Sequence, residues 1–220
     1  MRLLTIACKW LAGAGLLLAA QLGVAGTLAG SAHDFTTAAW NPGQKACVVC
    51  HAPHNGSLTV TDAPLWSHAT TTATYQVYAS PTMSATLGQP GGNSKLCLSC
   101  HDGTVAVDSF GGTTGTIKLV DPLKNNVGTD LRDDHPIGFL YNTALATADG
   151  SLFDPATKTV TIGVSPSKTG TLAAMLLFNG KMECSSCHDV HNTFVVGAKG
   201  TGMVKMDTIG SKICIACHNK

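Results

Sequence analysis

Eight cysteines of this chain stand in four Cys-x-x-Cys pairs, and a histidine directly follows each pair. Two cysteines at this spacing reach the two vinyl groups of one porphyrin, and the adjoining histidine then lies beneath the iron as an axial ligand. The spacing therefore predicts four covalently bound haem c groups. The four motifs are Cys47, Cys50 and His51; Cys97, Cys100 and His101; Cys184, Cys187 and His188; and Cys214, Cys217 and His218.

Structural zinc is the alternative for these pairs, since Cys-x-x-Cys pairs also form half of many tetrahedral zinc sites. A zinc site does not need a histidine directly after the second cysteine, whereas all four motifs have one. Chance would rarely place a histidine there four times in a chain with 9 histidines among 220 residues. The pattern therefore favours haem over zinc or disulfides.

The ligand on the far side of each iron decides between electron transfer and chemistry on a bound molecule. Five histidines lie outside the motifs, so one of them is surplus to four irons. Methionine could also serve and would raise a haem's potential, but enough histidines are present, and we expect the methionines to be packing residues. The candidate distal ligands are His33, His54, His68, His135 and His191.

Two of these histidines stand three residues beyond a motif histidine, His54 after His51 and His191 after His188. Such a residue starts close to its own haem but cannot wrap round to the opposite face. We therefore expect both to reach a neighbouring haem and to hold two haems close together.

The N-terminus predicts a secretory signal over residues 1–32. Arg2 supplies positive charge, and an apolar stretch follows over residues 11–24. Small residues allow cleavage after Ala32 or earlier, after Gly26. An uncleaved membrane anchor is the alternative, but the run is short for a span and contains glycines. Because haem is attached to paired cysteines outside the cytoplasm, we expect a secreted protein, extracellular or at the cell surface, with the periplasm as the alternative.

Residues 33–220 then form one tetrahaem domain whose cysteines all lie in the motifs. With 24 glycines and 5% aromatic residues, we expect a mostly irregular chain with few short helices and minor β structure around a core of haems. A strand is predicted over residues 158–162, turns over 111–116, and a helix over 172–178 that Gly180 ends.

The charge balance argues against nucleic acid as a partner. Loss of Arg2 and Lys9 with the signal leaves 12 basic residues against 13 acidic ones. Ionised haem propionates would add further negative charge. An acidic protein would be repelled by the phosphate backbone.

Two strong ligands on every iron would leave none free for substrate, so we expect an electron carrier and not an enzyme. A soluble periplasmic shuttle shares every haem residue and is the first alternative. The second is a multihaem reductase with one open iron lined by Lys, Arg or Tyr. The low aromatic and basic content gives that alternative little support.

Runs that include and connect the motifs carry a family resemblance over nearly the whole predicted mature chain. They resemble the tetrahaem extracellular cytochromes of metal-reducing bacteria, the OmcE type. The resemblance implies a homopolymeric filament of stacked bis-histidine haems that passes electrons to metal oxides, other multihaem cytochromes or further external acceptors. It also implies that a histidine of one subunit ligates a haem of the next, a role for which His54 is suitably placed. The runs are Ser31–Phe35, Cys50–Asn55, Pro64–His68, Leu98–Thr104, Asp134–Phe139 and Glu183–Asp189.

Overall fold

The computed structural model describes residues 28–120, 125–164, 166–194, 196 and 203–219, so most of the predicted signal lies outside the described residues. Within these ranges, no helix has the length and apolar character needed to cross a membrane. The helices are α1 (Gly92–His101), α2 (Thr143–Asp149), α3 (Leu172–Leu176), α4 (Cys184–Cys187) and α5 (Lys212–Ile215), with 3₁₀ turns at Phe35–Thr37, Cys47–Val49 and Ile209–Ser211. The strands are β1 (Gln76–Val77), β2 (Asp130–Leu131), β3 (Phe139–Leu140), β4 (Thr159–Ile162), β5 (Lys168–Thr171) and β6 (Lys181–Met182). The expectation of a mostly irregular chain with few short helices and minor sheet is confirmed.

The strands form two-stranded sheets, of which β1–β2 is parallel and β3–β6 and β4–β5 are antiparallel. Strand β4 covers four of the five residues predicted to be extended. Val160 and Ile162 are buried, whereas Thr159 and Thr161 are exposed. This alternation places the apolar side chains of β4 on one face, against the body of the protein.

Helix α3 is shorter than predicted and does not reach Gly180. The Thr171 hydroxyl caps its N-terminus by accepting from the Ala174 N–H at 3.3 Å, but the helix ends at Leu176 because Leu177 has extended backbone. Gly180 instead follows Asn179 in a tight turn in which both residues have positive φ, 50° and 74°. Asn-Gly favours this type I′ geometry, so the pair starts the hairpin leading into β6 and does not end the helix.

The second half of the protein forms an apolar core from its own side chains, which the expectation of a haem core did not include. Short apolar runs from β3, α2, β4, α3, β6 and the fourth motif converge there, and Leu172 is fully buried. A smaller cluster joins Tyr75, Leu98 and Leu131 beside α1. The larger cluster contains Phe139, Tyr141, Ala146, Val160, Ile162, Leu172, Leu176, Met182, Ala216 and Cys217.

Candidate haem sites

Each Cys-x-x-Cys-His motif occupies a single helical turn. In the first, third and fourth motifs the histidine N–H donates to the carbonyl of the first cysteine at 2.7, 3.0 and 3.0 Å. The second motif lies wholly within α1. Residues three and four apart share one side of a helix, so both thiols and the histidine approach one face. The eight motif cysteines are free thiols.

Burial keeps several of these thiols uncharged. Desolvation raises the pKa of Cys50 to about 11, and it raises the pKa values of Cys100 and Cys217 to about 12. The contact with Cys97 acts in the opposite direction at Cys184 and lowers the pKa of that thiol.

Consecutive motifs are neighbours in space. Cys100 lies within electrostatic reach of Cys50, and Cys97 lies within reach of Cys184. Cys217 in turn lies within reach of Cys187. Each attachment motif is therefore next to the one that follows it in the chain, and we call this succession the row of motifs.

A buried polar joint locks the second motif to the third. The Ser94 hydroxyl on α1 donates to the Glu183 carboxylate and accepts from the Cys184 N–H at 2.9 Å. Next to it, the Asn93 amide donates to the Ser185 hydroxyl. Ser94 is fully buried and Glu183 is 2% exposed. Because both helices carry attachment cysteines, this joint fixes the spacing of two predicted haems.

Three of the predicted distal histidines have their rings next to that of a motif histidine. Two imidazoles that bind one metal through bonds of about 2 Å have ring centres about 6 Å apart. Each observed separation therefore matches the space for one iron between the rings. The angles between the ring planes range from 20° to 77°. Such a range is compatible with ligation of one metal, because each imidazole can rotate about its own metal–nitrogen bond. The pairs are His51 with His191 at 6.2 Å, His101 with His33 at 6.0 Å, and His218 with His135 at 6.4 Å.

The side chains of two motif histidines and two predicted distal histidines are oriented in the same way. In all four, Nδ1 lies 2.6–2.9 Å from a backbone carbonyl oxygen. Because a carbonyl only accepts, Nδ1 must carry the proton, and the lone pair then lies on Nε2, where iron would bind. The contacts are His51 to Pro64, His101 to Asn125, His68 to Ala69 and His135 to Pro136.

His33 is held as a neutral imidazole. Burial and, after it, repulsion from His101 together lower its pKa from 6.5 to about 4. A neutral ring has the free lone pair that a metal needs. The residue nearest the predicted cleavage site is therefore in a ligand-competent state.

The two remaining candidates have contrasting environments. His68 is 4% exposed and pairs with Phe110 in an isolated bridge. Its Nε2 lies 3.5 Å from the Cys100 sulfur. His54 is exposed on the loop after the first motif.

His135 lies near two motifs. It lines a cavity together with Cys184, Cys187 and His188 of the third motif, and its ring is next to that of His218 in the fourth.

Trp66 supplies a further test of whether haem fits. Its side chain is buried, and its indole N–H has no acceptor. The ring lies edge-on to His51 at 6.2 Å and 6.4 Å from His68. A buried unpaired donor is costly, and an ionised propionate is an acceptor that a haem at the first motif would bring. The residues around this motif therefore fit the group.

Sequence reasoning missed the carboxylates that shape these sites. Asp189 accepts from the backbone N–H groups of His191 at 3.2 Å and Thr193 at 2.6 Å, so it organises the loop that presents His191. Asp102 and Asp189 both directly follow a motif histidine. This repeated Cys-His-Asp sequence was the available signal for them.

Within the described ranges, no group of three or more His, Cys, Asp or Glu side chains is placed to hold a metal ion by itself. In comparisons with known proteins, no family model and no curated protein matches the chain.

Proposed function

We propose that the chain is a tetrahaem c-type cytochrome that carries electrons through closely spaced haems. The observation that carries this proposal is the set of three motif histidines, each facing a second imidazole at 6.0–6.4 Å. Haem, when bound, supplies reversible one-electron exchange. The periplasmic shuttle and the reductase with one open iron are the alternatives.

The protein's own residues would hold the cofactors and set their spacing. The motif turns present the thiols and one imidazole, and backbone carbonyls orient the rings so that Nε2 is available. The row of motifs and the Ser94–Glu183 joint keep neighbouring haems close. Such an arrangement favours conduction along the row over chemistry at one open iron.

We further propose that the secreted protein polymerises into a filament that conducts electrons to external acceptors. Exposed apolar residues stand at both ends of the row, which suits head-to-tail contact between copies. Leu58 is 90% exposed and Leu65 is 46% exposed near His54, whereas Ile209 and Ile215 are 75% and 48% exposed around the fourth motif. Burying such residues between subunits is favourable.

The loop that carries His54 is firmly built. Ala52 N–H donates to the Leu65 carbonyl at 2.9 Å, and Ser57 N–H donates to the Trp66 carbonyl at 2.7 Å. A Cβ at Gly56 would lie 2.7 Å from Leu65 backbone atoms, so only glycine permits this close approach. A fixed loop with an exposed imidazole is suited to ligating a haem of the next subunit.

The haem proposal predicts that the native secreted protein weighs four haems more than its polypeptide. We expect electron paramagnetic resonance to show low-spin ferric iron because imidazoles lie on both faces of the irons. Intact-protein mass spectrometry gives the haem count on the same sample. Bare polypeptide or bound zinc would contradict the proposal. A high-spin signal together with carbon monoxide binding would instead support the reductase.

The filament proposal predicts that His54→Ala disperses polymers that the unaltered protein forms. The substitution removes the exposed ligand and leaves the apolar residues in place. Cryo-electron microscopy and sedimentation measure the loss of polymer. Thr82→Ala changes another exposed polar residue, outside this loop, and should leave polymers intact. If the unaltered protein is monomeric with four low-spin haems, the shuttle is the correct alternative; if His54→Ala still polymerises, His54 does not join subunits.

A further inference from the structure

Asp102 is a buried carboxylate directly after the histidine of the second motif, and it is 4% exposed. The Tyr75 hydroxyl donates to it at 2.5 Å, and the Thr71 hydroxyl donates at 2.7 Å. The backbone N–H and the hydroxyl of Thr104 donate to its other oxygen, both at 2.7 Å. Four donors thus surround a side chain that the proposed mechanism does not otherwise use.

These donors keep Asp102 ionised. Each of its two carboxylate oxygens accepts two hydrogen bonds, and hydrogen bonds that are donated to a carboxylate favour its ionised form. The group therefore carries a full negative charge at neutral pH.

The charge of Asp102 is stabilised by dipoles and not by a cation. All four of its donors are neutral groups. The ion pairs of the described residues involve other carboxylates, those of Asp130 and Asp207. A buried charge without a counter-ion acts at longer range than a surface charge, because neither water nor salt screens it fully.

We propose that Asp102 sets the reduction potential of the haem attached at the second motif by holding a fixed negative charge beside its axial ligand. This inference rests on the proposed function. Ferric iron carries one more positive charge than ferrous iron, so a nearby carboxylate stabilises the oxidised form and lowers the potential. Asp102 thus acts through its charge alone, because it binds neither iron nor porphyrin.

The other three motif histidines are not followed by an equivalent group. The residues that follow the first and fourth motif histidines are Ala52 and Asn219. Asp189, which follows the third, is less buried than Asp102 and lies within electrostatic reach of the Lys205 ammonium. Of the four motif histidines, that of the second is therefore the one followed by a fully buried carboxylate without a cation, and electrons moving along the row would meet one site that is harder to reduce than its neighbours.

The test is a potentiometric titration of the haem-loaded protein, followed by absorbance and electron paramagnetic resonance so that individual haems are resolved. Asp102→Asn keeps the shape of the side chain and removes the charge, so one midpoint potential should shift to a more positive value. Tyr75→Phe removes one neutral donor and leaves the charge less compensated, so the same potential should shift to a more negative value. Asp130→Asn is the control, because its side chain is 47% exposed and paired with Arg132.

The two opposite shifts separate charge from distortion, since a disturbed fold would not reverse its sign between the variants. The inference is overturned if four low-spin haems are present and Asp102→Asn shifts no potential more than the control does. Shifts of the same sign in both variants would also overturn it. Should Asp102→Asn fail to fold, Tyr75→Phe alone tests the inference: a shift to a more negative potential supports it, and no shift or a positive shift contradicts it. A sample without four haems would contradict the proposed function itself, and the haem count shows which has failed.

Discussion

His191→Ala is expected to leave one haem with a single axial ligand and to convert it from low spin to high spin. The His191 ring lies 6.2 Å from that of His51 and nearly parallel to it, at 20°, so its removal opens one face of the predicted iron. One haem in four should then bind carbon monoxide. Electron paramagnetic resonance and carbon monoxide difference spectra measure both changes.

The matched control for this variant is Val190→Ala. Val190 precedes His191 in the same loop and is 38% exposed, so its truncation tests the loop without removing an imidazole. It should leave all haems low spin. If His191→Ala retains four low-spin haems, the approach of His191 to His51 is packing and not ligation.

Glu183→Ala is expected to give the largest loss of stability among the polar positions. Removal of the carboxylate leaves the buried Ser94 hydroxyl without its acceptor and opens the joint between α1 and α4. An orphaned buried polar group costs about 2 kcal/mol. Chemical denaturation followed by far-ultraviolet circular dichroism measures the change in free energy of unfolding, with the haem content checked to be equal. An unchanged free energy would show that the joint does not hold the helices together.

The pH dependence of stability supplies a second observation on Glu183. Burial raises its pKa above the ordinary value, so the folded protein holds this proton more tightly than the unfolded chain. The contribution of this raised pKa to the free energy of unfolding is therefore fully present below the pKa that Glu183 has in the unfolded chain. It falls as the pH rises through the pKa that Glu183 has in the folded protein. Glu183→Gln can still accept from Ser94 and does not titrate, so it should remove this slope. A slope equal to that of the unaltered protein would assign the titration to another group.

Local patterns in the sequence predicted those structural elements that neighbouring residues determine. The alternation around Val160 predicted β4, and the cysteine spacing predicted that two thiols and a histidine serve one porphyrin, for which the single helical turns of the motifs bring them together. The end of α3 was predicted wrongly, because Gly180 was taken as a helix stop when Asn179 and Gly180 together make a hairpin turn. Here the dipeptide, and not the single glycine, held the information.

The pairing of histidines depends on contacts between distant parts of the chain. Counting residues identified His33, His135 and His191 as candidate ligands, but no local pattern shows which motif each one faces. That choice follows from how loops fold back across the protein, and the contact between the second and third motifs follows from the joint at Ser94. The burial of His68 likewise depends on a distant residue, because its bridge partner, Phe110, lies far along the chain.

The facing of His51 by His191 has a consequence for biogenesis. A chain exported from its N-terminus delivers the first attachment site long before the segment that follows the third. If haems are attached as proposed, the haem at the first motif lacks its second axial ligand until the segment that contains His191 has been exported. Maturation would therefore pass through a reactive, half-coordinated stage, and truncated chains would accumulate in it.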